Sequence, residues 1–248
     1  DESDYNTSIG HQSLLKFGDD GASDHSSFNT SLGYLAMGGG HDTVASNTGY
    51  KNVGIGTYAL GGSTGTSDAI TAHSNVAIGH VAMKLATTAS NCVVIGRDAG
   101  DAITTATNSV AIGSHALGAT AGGETSVAVG YHALKTETFT GHNVAIGSEA
   151  LMDLNVGGNG YNVAVGSRAA QNTTSGTYNV SIGYSSLDTN TDGSQNIAIG
   201  SEALASVNHA DANGTIGIGH NALKALTGAG GNIAIGWGSL VDNTTGLS

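Results

Sequence analysis

Asn143-Val144-Ala145-Ile146-Gly147-Ser148-Glu149-Ala150-Leu151 is one copy of a pattern, N-V-A-I-G-x-x-A-L, that recurs thirteen times in 248 residues. Its glycines stand at Gly10, Gly33, Gly56, Gly79, Gly96, Gly113, Gly130, Gly147, Gly166, Gly183, Gly200, Gly219 and Gly236. The first four are spaced twenty-three residues apart and the later ones seventeen or nineteen. Every copy has Ile, Leu or Val immediately before the glycine and a β-branched residue two positions earlier, with a small residue between them except at Val94. Alternation with period two is the signature of a strand. One strand and one turn cannot enclose a core alone, so successive copies must stack on one another.

The expected fold is therefore all-β: a parallel β-solenoid, of the β-roll or β-helix kind, with about thirteen coils. At about 4.8 Å per coil it forms a rod roughly 60 Å long. It reads as a single repeat domain over residues 1–248, with long, looped coils in 1–85 and compact coils in 86–248. Asn stands four residues before the glycine in nine copies, among them Asn75, Asn143, Asn162, Asn179 and Asn196. These amides are expected to form a ladder, each bonding its equivalent one coil away. Gly79, Gly113, Gly147 and Gly200 allow the bend that ends each strand. Ile78, Ile95, Ile112, Ile146 and Ile199 are expected to stack in a column, and the Ala and Leu after each glycine to tuck inside. The polar stretches between copies, such as Gln171 to Gly176 and Asp188 to Gly193, read as exposed loops or a weak outer strand. A leucine-rich-repeat horseshoe is the runner-up fold, disfavoured by the short period and the lack of a second Leu ladder.

If Val144 and Ile146 face inward, then Asn143, Ala145 and Gly147 form a flat outer stripe, on the order of 400 Å² over the whole rod, which is the size of an interaction patch. The opposite orientation, with small residues inward and Val and Ile outward, equally demands cover by another chain. Either way the chain is expected to associate with itself, as a homotrimer around an axis or end to end as a filament.

Composition narrows the function. Forty residues are Gly, none is Pro and aromatics are 5%, so a thick globular core is not expected. Nineteen acidic residues against seven basic ones give a net charge of −12, which repels nucleic-acid phosphates and anionic membranes. No apolar run is long enough for membrane insertion. The lone Cys92 replaces a ladder Asn and reads as a small buried residue.

Catalytic patterns are poor. No G-x-S-x-G or H-E-x-x-H occurs and no acidic pair stands out, so the expectation is a non-enzymatic protein without a cofactor. Asp188, Asn190 and Asp192, followed by Gly193, match the opening of a calcium loop, although Ile199 holds the place of the distal Glu. A plain Asx-rich turn competes with that reading. The long insertions Phe17 to Phe28, Gly38 to Lys51 and Gly61 to Ser74 emerge from one flank, where loops on a rigid scaffold suit a receptor.

The N-V-A-I-G units resemble the head repeats of trimeric autotransporter adhesins. The fuller N-V-A-I-G-x-x-A-L units, with N-T-T-G linkers such as Asn243-Thr244-Thr245-Gly246, resemble phage and prophage tail-fibre repeats. That resemblance implies an extracellular, trimeric segment of a virion or cell-surface appendage that attaches to a host glycan or protein. The coils are longer than the adhesin head unit, and no heptad stalk is visible. A purely architectural filament is the alternative. An ice- or mineral-binding solenoid is the third, disfavoured because the stripe of Asn, Ala and Gly carries no Thr array.

Overall fold

The computed structural model describes residues 5–14, 26–38, 47–61, 70–122, 125–138, 141–208, 212–228 and 230–245. The chain falls into two compact units, Asp1–Thr125 and Ser126–Ser248. The first holds β1 (Thr7–Ile9), β2 (Thr30–Leu32), β3 (Val53–Ile55), β4 (Val76–Ile78), β5 (Val93–Ile95) and β6 (Val110–Ile112). The second holds β7 (Val127–Val129), β8 (Val144–Ile146), β9 (Val163–Val165), β10 (Val180–Ile182), β11 (Ile197–Ile199), β12 (Ile216–Ile218) and β13 (Ile233–Ile235). No helix occurs among the described residues.

Within each unit consecutive strands pair in parallel without stagger. Val76, Val93 and Val110 stand in one column and Ile78, Ile95 and Ile112 in the next. In the second unit Ile146 pairs with Val129 and Val165, and Ile199 with Ile182 and Ile218. Each repeat is thus one coil of a parallel β-solenoid, and neighbouring coils meet equivalent residue to equivalent residue.

The phase of the alternation is the reverse of the first expectation. Ala145 is fully buried whereas Ile146 is 41% exposed, and the same holds at every described strand centre from Ser31 to Ala234. The interior is already supplied by the turn after the glycine, where Ala150 and Leu151, or Ala82 and Met83, are fully buried. Leucine projecting across so thin a coil leaves room for only an Ala, Ser or Gly opposite it. Adding a β-carbon to Gly54 would press it against Met37 Cγ at 2.6 Å, which shows how closely the two walls meet. Val and Ile therefore turn outward.

The strand-ending glycines are fixed by backbone shape and by stacking together. Their φ values lie between 126° and 141°, a region closed to residues with a β-carbon. A β-carbon on Gly79 or Gly200 would also fall well inside 3.0 Å of the glycine one coil further on. In most coils the residue five before the glycine, such as His142 (φ 63°), takes left-handed backbone without being glycine, and so do two residues after that glycine, as at Glu149 (φ 60°) and Leu151 (φ 48°). The N–H groups of the last two point to opposite neighbours: Glu149 donates to the Tyr131 carbonyl at 2.8 Å and Leu151 to the Ala169 carbonyl at 3.0 Å. Each such residue costs roughly 1–2 kcal/mol, offset by hydrogen bonds to both adjacent coils.

Candidate functional site

Three surfaces or networks arise from this geometry. The first is internal. In the first unit the backbone N–H groups of Asn52, Asn75 and Cys92 donate to the side-chain oxygens of Asn29, Asn52 and Asn75 at 3.0, 3.0 and 2.9 Å. In the second, those of Asn162, Asn179, Asn196 and Thr215 donate to Asn143, Asn162, Asn179 and Asn196, each at 2.9 Å. The side-chain nitrogens mostly turn to carbonyls closing the coil, as Asn162 does to Gly176 and Asn179 to Gly193, both at 2.9 Å. The expected amide-to-amide bond runs from Asn75 Nδ2 to Asn52 Oδ1 at 3.1 Å and from Asn52 Nδ2 to Asn29 Oδ1 at 3.3 Å. The ladder is thus chiefly a bond from side chain to main chain. Cys92, its buried substitute, holds its thiol against the Ser90 carbonyl, and burial pushes that thiol's proton affinity up.

The second surface is the outward face of the strands. It carries the Val and Ile columns, with the residues two before and two after each strand extending the row, as in Tyr178, Val180, Ile182 and Tyr184. In the coils of β8 to β13 none of these four positions is Asp, Glu, Lys or Arg. In the first unit Lys51 and Arg97 interrupt it. His142, Tyr161 and Tyr178 form a stacked column along one edge, with ring centres 5.1 and 5.0 Å apart and planes within 4° and 13°. Six coils by four outward residues span roughly 30 Å by 20 Å, or about 600 Å². That approaches the ~800 Å² per partner of a standard protein interface.

The third lies across the coil. The polar stretch six to eight residues after each glycine is a run of turns and bends bonded from coil to coil, with no strand in it among the described residues. Asn155, Thr174 and Thr227 donate their N–H groups to the Thr174, Thr191 and Thr244 carbonyls at 2.8, 2.8 and 3.1 Å. The middle residue of each stretch (Leu154, Thr173, Asn190, Val207, Leu226) is fully buried, so its neighbours point outward. One outward column consists wholly of Thr and Asn: Thr138, Asn155, Thr174, Thr191, Asn208, Thr227 and Thr244. Its hydroxyls are held in place, Thr174 by the Thr191 carbonyl at 3.0 Å and Thr191 by Asn208 Oδ1 at 2.8 Å.

The same segment separates the candidate calcium ligands. Asn190 faces the interior and donates to the Gly193 carbonyl at 2.9 Å, while Asp188 and Asp192 lie outside. Asp188 is engaged by Arg168 Nη2 at 3.1 Å and Asn172 Nδ2 at 3.3 Å, and Asp192 accepts from Thr191 at 3.3 Å. Burial raises the Asp188 proton affinity, with Arg168 opposing. The motif D-x-N-x-D needs its three side chains turned to one point; the turn at Asp188 and the bend at Thr191 and Asp192 send Asn190 inward and the two carboxylates outward. Among the described residues no group of three or more His, Cys, Asp or Glu is placed to hold a metal. Of the three long insertions expected to meet a receptor, residues 17–25, 39–46 and 62–69 lie outside the described residues.

The chain matches no protein-family model, no curated protein and no solved structure.

Proposed function

We propose that this chain is a segment of an extracellular structural fibre, part of a phage tail fibre or bacterial surface appendage, in which copies associate through the outward Val and Ile columns and present loops for attachment to a host glycan or protein. The observation carrying this reading is the uncharged face of the second unit. An uncharged surface of about 600 Å², with Val and Ile at half of its positions, stands at the upper end of what an isolated monomer leaves to water. Its uniform register gives every coil the same contact to make, which suits a second copy better than an irregular partner. Replacing Ile146 and Ile182 together by Lys tests it: sedimentation should show an oligomer for the parent and a monomer for the variant, with unchanged circular dichroism. A parent that stays monomeric at tens of micromolar sinks the proposal. Negative-stain microscopy of the parent separates discrete rods from indefinite filaments.

A second reading, an ice-binding solenoid, is favoured by the Thr and Asn column opposite the strands. That column sets hydroxyls and methyls at the coil repeat with restrained rotamers, an ordered template for water. Ice-recrystallisation inhibition, lost on replacing Thr174 and Thr191 together by Lys, is its test; no inhibition by the parent removes it.

A further inference from the structure

Among the described residues Tyr161 and Tyr178 are the two tyrosines whose rings lie flat on one another, their centres 5.0 Å apart and their planes within 13°. They stand in consecutive coils, in a register fixed by the Tyr178 amide on the Gly160 carbonyl at 2.9 Å. Both take left-handed backbone, φ 51° and 59°, so the two side chains leave their coils in the same way. They are 42% and 55% exposed, which leaves the rings room to tilt. Asn159 Nδ2 donates to the Tyr161 hydroxyl oxygen at 3.1 Å. Other tyrosines differ: Tyr34 and Tyr58 meet edge-on at 85°, Tyr131 lies on His132, and Tyr184, equally exposed, has no described ring against it.

Two phenols held this way are placed for oxidative coupling. One-electron oxidation of each takes an electron from the ring and the proton from the hydroxyl. The resulting phenoxyl radicals carry spin on the two ring carbons beside the C–O carbon, Cε1 and Cε2. A bond between one Cε of each ring pairs the spins. The hydrogens on the joined carbons then pass to the oxygens, restoring both aromatic rings and both hydroxyls. The two electrons and two protons released reduce one hydrogen peroxide to two waters. A ring held one coil away, about 4.8 Å, meets its partner far more often than a ring of another chain in dilute solution. The bond ties the coil of β9 to that of β10 covalently, which the single cysteine cannot do within the chain.

We propose that Tyr161 and Tyr178 form a modification site, joined as dityrosine by a peroxidase and hydrogen peroxide. The pair borders the outward Val and Ile columns, so the reaction is run on the full chain and on its Ile146→Lys, Ile182→Lys variant, whose stack stays open whether or not copies of the parent associate. Digestion and mass mapping should give, from a product of monomer size, a peptide pair that joins Tyr161 to Tyr178 and is lighter by two hydrogen atoms. Tyr178→Phe keeps the ring, removes the hydroxyl and should abolish that product; Tyr184→Phe should leave its yield unchanged. Absence of the joined pair from both proteins, equal coupling through Tyr34 and Tyr58, or bonds between chains only overturns the proposal. The sedimentation of the parent decides self-association separately.

Discussion

A β-carbon on Gly147 would collide with the carbonyl of Gly166, the equivalent residue one coil further on. Gly147 also has φ 139°. Gly147→Ala therefore meets both backbone strain and a backbone clash that no rotamer relieves, and should cost on the order of 3 kcal/mol. Gly157, with nothing within 4 Å of a β-carbon and no left-handed φ, is the control. Urea unfolding of the two variants should separate them; equal midpoints would falsify the stacking role of the glycine column.

Asn162 accepts from the Asn179 amide and donates to the Gly176 carbonyl, both at 2.9 Å and both buried. Asn162→Ala leaves a donor and an acceptor unsatisfied, for a loss of about 2–4 kcal/mol. Thr138→Ala, at an exposed hydroxyl bonded to Asn155 Oδ1, should cost under about 1 kcal/mol. If calorimetry ranks them in the other order, the internal ladder is not what holds neighbouring coils together.

Val81 has φ 63°, a β-branched residue in left-handed backbone. Val81→Asn places a residue that tolerates this region and should stabilise the chain by about 1 kcal/mol. A lower melting temperature would mean that the packing of Val81 outweighs its strain.

Burial and the neighbouring Asp98 raise the proton affinity of Asp101 above the usual carboxylate range. With the folded value above the unfolded one, its stabilising contribution is full below about pH 3.8 and is lost as pH rises through the folded value. At pH 7 Asp101 is ionised, and Asp101→Asn should then gain under about 1 kcal/mol, the group being partly solvated. The gain should vanish near pH 3. A gain that persists unchanged in acid would trace to something other than this carboxyl.

The coil, its register and its glycine columns were legible because they depend on period alone, which Ile78, Ile95 and Ile112 display openly. Which face of the strand is buried was not, since alternation has the same form in either phase. The deciding information sat six residues beyond the strand centre, in the Leu or Met that follows most of the glycines: with Leu151 crossing the coil, only the small Ala145 fits opposite it. The Thr and Asn column was hidden for a related reason. Turn-forming residues such as Asp188 to Gly193 do form turns and bends, yet hydrogen bonds from coil to coil align them into a column that the sequence alone does not display. The left-handed backbone at Leu151 has no local sequence signal at all, because tertiary bonds impose it.

In the asparagine ladder every side-chain oxygen receives an amide from the coil that follows, never from the one before. The array therefore has a sense, like an arrow drawn along the coil axis. Cut between any two of these coils, it exposes bare acceptors on one half and bare donors on the other. Such halves can rejoin tail to head only; two like ends would oppose acceptor to acceptor. Any lengthening by this chemistry is consequently vectorial.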